Sequence, residues 1–286
     1  MGYLLIIVLS LLTVLKVTVQ GKFSKLYVKE SVDILAFISG SFFIISLLIF
    51  LVFGVKNVSL ETILYGVSIG VLTTIFQLFY TKAMKNGPVS ITSLVANMQI
   101  ILPTLFSAIV YKDEFGVLKI LGVVFLFGSM FLLLRPKNGD KTKSWIFLVV
   151  TTFFAGGISS IVQKIQGEGD YSAQRNQMLF FCYLTAGVLS MIILIINAIK
   201  GKKPTFKLSL KPLGFMLGLG VTLCAYQVLL VYLISIVAGT ILYPLHNVTV
   251  VLFTAIMGFV FFKEKFDKIS LIGVIVSAGS ILCLVL

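Results

Sequence analysis

The sequence predicts an all-α membrane protein with ten transmembrane helices, arranged as two inverted repeats of five helices. Of its 286 residues, 59% are hydrophobic and only 12% are charged, and the mean hydropathy of +1.12 is too high for a soluble domain of this size. The apolar residues form ten blocks of roughly 17–25 residues, the length that crosses the hydrocarbon core of a bilayer as a helix. The second half of the chain also repeats the first, which predicts the repeat architecture.

The duplication is clearest around the fourth and ninth blocks. A shift of 150 positions lays Asn247 on Asn97 and Glu264 on Glu114, with apolar positions matching between them. Each copy contains five spans, and an odd number makes the second copy enter the membrane from the side opposite to the first. The repeats are therefore inverted, an architecture that recurs in secondary transporters.

Each block should form a helix, because a helix closes its own backbone hydrogen bonds in lipid and no block alternates as the strand of a barrel would. Basic, turn-rich segments at residues 135–143 and 200–211 are predicted as solvated connections. The first of them divides a first repeat, residues 1–137, from a second, residues 138–286. The predicted spans are Tyr3–Val19, Val32–Gly54, Leu60–Thr81, Ser90–Tyr111, Val117–Leu134, Trp145–Gln163, Gln177–Ile199, Leu213–Ile236, Thr240–Phe262 and Ile269–Leu286.

The distribution of lysines predicts the orientation. Of the 23 lysines and arginines, 17 lie in the loops on one face and five in the loops on the other. The positive-inside rule then places both termini outside. These loop residues also account for the net charge of +13, so we expect contact with lipid phosphate and no nucleic-acid partner. We expect an integral protein of a bacterial inner or plasma membrane, either a monomer or a homodimer.

Polar residues line one stripe of the fourth span, and the ninth span repeats that stripe with Asn247 where the fourth has Asn97. An amide in lipid is costly unless it bonds a neighbour or faces water. Both asparagines should therefore point inward, either into a cavity shared by the repeats or toward a helix that they hold in place. The candidate substrate-binding residues are Asn97, Asn247, Gln77, Gln227, Tyr80, Tyr243, His246, Gln163 and Lys16.

Of the charged residues within the predicted spans, Lys16 lies farthest from a span end, about one turn from it. There it either snorkels to the surface or binds a substrate carboxylate. None of the ten Asp and Glu residues lies in the middle of a block, which disfavours proton exchange for a cationic drug. His246, the only histidine, either packs between helices or couples transport to protons. Pro103 and Pro244 interrupt the fourth and ninth spans and are the candidate hinges.

The sequence offers nothing for hydrolysis or for the use of ATP. It has a single histidine, no P-loop, and three cysteines at spacings that make no metal motif. We expect no cofactor, no metal and no enzymatic activity, which leaves gradient-driven transport. Glu114 and Glu264 end their spans among lysines, where we expect structural ion pairs.

Each half of the chain contains an ordered series of a small residue, a proline, a glutamate and two glycines. The series is Ser90, Pro103, Glu114, Gly122 and Gly128 in the first half, and Thr240, Pro244, Glu264, Gly273 and Gly279 in the second. In this series each half resembles the EamA-type module of the drug/metabolite transporter superfamily. The resemblance implies a ten-helix bundle whose cavity is built largely from helices 1, 3, 4, 6, 8 and 9, and transport of small metabolites such as amino acids, often as export. It also implies cytoplasmic termini, against the charge rule.

We therefore predict a secondary transporter of a small polar metabolite, amino-acid-like or zwitterionic, which works as an exporter by alternating access through a central cavity. Two alternatives stay open from the sequence. One is a carrier of cationic or lipid-linked compounds, and the other is a membrane scaffold or sensor that transports nothing.

Overall fold

The computed structural model describes residues 2–112, 116–135, 143–237 and 239–285. Within these residues all ten predicted spans form long helices, which confirms the predicted all-α fold. Nine of the helices described are long and apolar enough to cross a membrane, and the last is apolar but shorter. The predicted boundary between the repeats, at residues 137 and 138, lies outside these ranges. The helices are α1 Gly2–Tyr27, α2 Ser31–Phe53, α3 Leu60–Asn86, α4 Val89–Tyr111, α5 Val117–Leu134, α6 Lys143–Glu168, α7 Arg175–Ile199, α8 Leu210–Ile236, α9 Gly239–Phe262 and α10 Lys268–Val285.

Helix α1 is longer than the apolar block that predicted it. It continues to Tyr27 rather than ending at Val19, because polar residues such as Gln20 and Ser24 are buried against neighbouring helices instead of facing lipid. A helix end predicted from hydropathy therefore falls too early where buried polar residues continue the helix. As a result Lys16 has roughly three helical turns beyond it, so it lies near the middle of α1 and not one turn from its end as predicted.

Helix α4 is irregular on both sides of Pro103. A proline cannot donate a hydrogen bond to the carbonyl one turn earlier. The hydroxyls of Thr104 and Ser107 bond the carbonyls of Ile100 and Pro103, each at 2.8 Å. Helix α9 is an unbroken α-helix through Pro244, so its backbone differs from that of its counterpart. The segments of α4 are an α-helix at Val89–Asn97, a 3₁₀ turn at Met98–Ile100, an α-helix at Ile101–Phe106 and a π-helix at Ser107–Tyr111.

Two pairs of equivalent helices join the repeats. Helix α2 packs along α7, and α5 packs along α10, so each pair combines helices that hold the same place in their repeats. Helix α1 packs against α8 and α9, while α3 packs against α6 and α7. The six helices α1, α3, α4, α6, α8 and α9 contact one another between these pairs and bring the polar stripes toward the middle of the bundle.

The lysine-rich face, as far as the structure describes it, is formed by the loops that follow α1, α3, α7 and α9. Asp33, in the first turn of α2, ties two of these loops together. Its carboxylate accepts hydrogen bonds from the backbone amides of Lys29 and Glu30, both at 2.8 Å. It also accepts from the amide and the hydroxyl of Thr205, at 2.6 and 3.0 Å. The loop of the second repeat is thereby fixed to a helix start of the first.

Helix α3 approaches α7 closely at Gly66 and Gly70, one turn apart. A methyl carbon at Gly66 would lie 2.8 Å from the carbonyl oxygen of Met178, and one at Gly70 would lie 2.7 Å from that of Cys182. Small residues one turn apart allow backbones to approach in membranes, where dispersion replaces the hydrophobic effect between helices. These two glycines therefore set the separation of α3 and α7.

Replacing Gly70 with alanine should destabilise the fold by about 1–3 kcal/mol, because the added methyl group must displace the backbone of α7. The apparent melting temperature in detergent measures this. Gly128→Ala on α5 is the matched control, since a methyl carbon there would meet nothing within 4 Å. An equal loss in both variants would contradict the close approach.

Candidate functional site

Lys16 lies near the middle of α1 and is only half-buried. Its ammonium is 5.9 Å from the centre of the Tyr226 ring on α8. Among the residues that the structure describes, no carboxylate pairs with it. A cation at this depth requires compensation, and the face of an aromatic ring supplies only part of it. This position can therefore accept an anionic group from a ligand.

His246 on α9 joins Lys16 and Tyr226. The His246 and Tyr226 rings are 5.9 Å apart, and the histidine side chain is buried. Its Nδ1 lies 3.0 Å from the hydroxyl of Ser10 on α1, which also donates to the His246 carbonyl at 3.3 Å. These four residues, Ser10, Lys16, Tyr226 and His246, are called here the Lys16 group. They bring polar atoms of both repeats together.

A second polar group joins α1 to α3. The Gln20 side-chain amide donates hydrogen bonds to the Gln77 side-chain oxygen and to the Thr81 hydroxyl, the latter at 2.8 Å. The side-chain oxygen of Gln20 is buried and has no hydrogen-bonding partner in the described part of the chain. The sequence predicts Gln77 as a substrate-binding residue and places Gln20 on the same polar stripe of α1 as Lys16. These three residues, Gln20, Gln77 and Thr81, are called the Gln20 group.

Helix α4 contributes a buried polar atom, the Nδ2 of Asn97, that has no hydrogen-bonding partner among the described residues. Tyr80 on α3 faces Ser93 and packs on Phe76, with ring centres 5.2 Å apart. Buried polar atoms are nearly always satisfied in proteins, so unpartnered ones mark places for a water molecule or a ligand.

The other predicted site residues make contacts outside these groups or are not described. Gln227 faces Tyr183 on α7, and the Gln163 amide bonds the Ser159 hydroxyl of its own helix at 3.5 Å. Asn247 is half-buried on α9, beside His246. The side chains of Tyr243 and Pro244 lie outside the described part of the structure.

Glu264, expected to form an ion pair, makes its hydrogen bonds to the start of α4. Its carboxylate accepts from the amides of Val89 and Ser90 and from the Ser90 hydroxyl. The residue before the helix is Pro88, which has no side-chain acceptor. A helix start without Ser, Thr, Asp or Asn was therefore the sequence signal that a distant residue caps it. Glu114, the counterpart of Glu264, lies outside the described residues.

No three His, Cys, Asp or Glu side chains are grouped for a metal ion in the ranges that the structure describes. The described side chains of these groups supply hydrogen bonds and, at Lys16, a cation that attracts an anion.

The model of the EamA-like transporter family matches residues 1–135 and 143–286. A protein of Haemophilus influenzae described as uncharacterized is 24% identical over 225 residues, which are 76% of this chain and 73% of that protein. A solved crystal structure has the same fold with a TM-score of 0.62 and 14% sequence identity, covering 97% of this chain and 95% of the other. Because the family model spans both five-helix halves, the chain belongs to the EamA-like transporter family, within the drug/metabolite transporter superfamily.

Proposed function

We propose that this protein is a secondary transporter that exports a small polar metabolite, amino-acid-like or zwitterionic, and that it catalyses no chemical step. Membership of the family supports transport. The observation that carries the finer proposal is the lone cation of Lys16, set among polar groups of both repeats with no carboxylate pairing it among the described residues. A substrate carboxylate supplies the missing charge.

The remaining polar atoms fit the other end of such a substrate. The unpartnered oxygen of Gln20 accepts a hydrogen bond from a substrate ammonium or hydroxyl, and the Nδ2 of Asn97 donates one to an oxygen. The Tyr80 ring lies between α3 and α4 beside Ser93, and the Tyr226 ring lies between α8 and α1 beside Lys16. In this proposal the repeats rock about Pro103 and Pro244 and open the cavity to each face in turn.

Flux in proteoliposomes tests the function. Purified protein is reconstituted and loaded with a mixture of radiolabelled amino acids, and efflux is compared with that of protein-free vesicles. Efflux of a zwitterionic or anionic amino acid supports the proposal. Movement of cationic or lipid-linked compounds alone overturns the substrate class, and no movement of any of these compounds overturns the transporter assignment.

Replacing Asn97 and Asn247 together with leucine should abolish efflux, because both amides would be lost from the two stripes while helix propensity and volume are kept. The measurement is initial efflux rate at equal amounts of folded, monodisperse protein. Asn197→Leu is the matched control, since the Asn197 amide bonds the carbonyl of Ile193 in its own helix at 2.8 Å. Normal efflux by the double variant would refute the site assignment.

Replacing Lys16 with glutamine should raise the half-saturating concentration of a carboxylate-bearing substrate by on the order of tenfold or more, because a hydrogen bond to a charged group is lost. Lys16→Arg should retain most of the affinity. Lys22→Gln is the control on the same helix, where the ammonium lies 5.0 Å from the Phe261 ring. Equal effects at both lysines would sink the role of Lys16.

The charge rule and the family differ about orientation, and we propose that both termini face outside. The proposal rests on the 17 basic residues on one face against five on the other. Alkaline phosphatase fused after Leu286 should then be active, and green fluorescent protein fused there should stay dark. The reverse pair of results would place the lysine-rich face outside.

A further inference from the structure

The start of α4 is held by the other repeat, at the lysine-rich face. Thr92 is the first residue of α4 whose backbone amide donates a hydrogen bond to a backbone carbonyl, that of Pro88 at 3.0 Å. The amides of Val89 and Ser90 instead meet the carboxylate of Glu264, which follows α9, and the Ser90 amide does so at 3.1 Å. The Ser90 hydroxyl donates to the same carboxylate. A negative charge is favoured here, because the amides point at it and the helix dipole is positive at this end.

The end of α9 is shaped so that Glu264 can reach α4. Lys263 adopts a left-handed conformation with φ of 52°, and the Glu264 amide bonds back to the carbonyl of Gly258 at 3.0 Å. This closes the last turn of α9 and turns the following residue toward the bundle. Gly258 itself leaves room for Ser90, since a methyl carbon there would lie 2.5 Å from the Ser90 side chain.

Helix α1 completes the closure. The Lys25 ammonium donates to the carbonyls of Lys85 and Gly87, at 3.1 and 2.8 Å, and it also attracts the carboxylate of Glu264. At Gly21 a methyl carbon would lie 2.6 Å from the Val89 side chain and 2.8 Å from Phe262. Three helices therefore meet with little space between them where α4 begins.

The two halves of α4 have different neighbours. The residues from Val89 to Ala96 are all buried, and in the described residues the substantial contact between α4 and α9 is confined to that segment. From Ile101 onward α4 packs against α6 instead, and the exposed fraction of Ile109 near its end is 77%. The two helices are thus joined at the lysine-rich face and separate toward the opposite one.

We propose that Glu264 is the gating residue of the lysine-rich face: its carboxylate keeps the central cavity closed there, and it must leave the start of α4 each time the cavity opens to that side. This inference rests on the proposed transport by alternating access. The contact borders a surface cavity of about 540 Å³, lined by Lys25, Pro88, Phe262 and Glu264 among others. A substrate released at this face passes where α4 and α9 now touch.

Hydrogen exchange tests the contact without any substrate. In Glu264→Gln the amides of Val89 and Ser90 should exchange faster by on the order of tenfold, because hydrogen bonds to a charged acceptor are replaced by weaker ones. Peptides covering residues 84–97 are followed by mass spectrometry in nanodiscs. Glu168→Gln is the matched control, because it removes an exposed carboxylate on α6 that pairs with Lys164 at 3.3 Å. This variant should leave the exchange rates of the Val89 and Ser90 amides unchanged.

Accessibility from one side tests the closure itself. Ser93 is buried one turn inside the contact. In Ser93→Cys, the new thiol should react with a membrane-impermeant thiol reagent from the lysine-rich side faster when Glu264→Gln is also present than when it is not. Peptide mapping separates this site from the native cysteines. If Glu264→Gln does not fold, Gly258→Ala serves instead, since its methyl group pushes Ser90 away while the carboxylate stays. Unchanged exchange and unchanged labelling in a folded variant would overturn the proposal.

Flux separates this inference from the function on which it rests. Weakening the contact raises the fraction of protein open at the lysine-rich face, so the half-saturating concentration of substrate supplied there should fall relative to that on the other side. Equal half-saturating concentrations in both proteins would count against gating by Glu264. If the unaltered protein moves no substrate while labelling at position 93 still responds to Glu264→Gln, the transporter assignment fails and the closure stands.

Discussion

Hydrocarbon offers no hydrogen bonds, so every polar group of a membrane-spanning chain must find its partner inside the protein. The long helices satisfy the backbone. Hydroxyl groups bond the carbonyl one turn earlier in their own helix, as Thr74 and Thr152 do at 2.9 and 2.8 Å. Against this background the exceptions carry meaning. Among the described residues, the Asn97 Nδ2 on α4 has no hydrogen-bonding partner, and the Lys16 ammonium on α1 has no carboxylate beside it.

The two repeats share a sequence pattern but not a conformation. Helix α4 changes its helical type around Pro103, whereas its counterpart α9 runs unbroken through Pro244. Helix α1 packs against α3, while the equivalent pair α6 and α8 makes no comparable contact within the described residues. In an inverted repeat, two different conformations of one module make the two faces of the membrane unlike each other.

The ten helices were predictable because length and apolar composition decide which segments cross a bilayer. The packing around them was not. Hydropathy ended α1 at Val19, since it cannot distinguish a polar residue that faces water from one, such as Gln20, that faces another helix. Hydropathy also does not show which helix a residue faces, so the contact between Lys16 and the Tyr226 ring could not be predicted. The hydrogen bonds of Glu264 joined residues about 175 positions apart, and a single sequence without structure shows which helix start lacks a cap but not which residue supplies it.

Trp145, the only tryptophan of the chain, is in the first turn of α6 and packs against the start of α4. Trp145 is fully buried, its indole nitrogen donates to the Thr92 hydroxyl at 3.1 Å, and a methyl carbon at Gly87 would lie 2.1 Å from that nitrogen. Indole emission changes with the polarity and hydrogen bonding of its surroundings. The protein therefore carries its own optical probe at the start of α4, and the intrinsic fluorescence of the unmodified chain reads out movement there without any attached label.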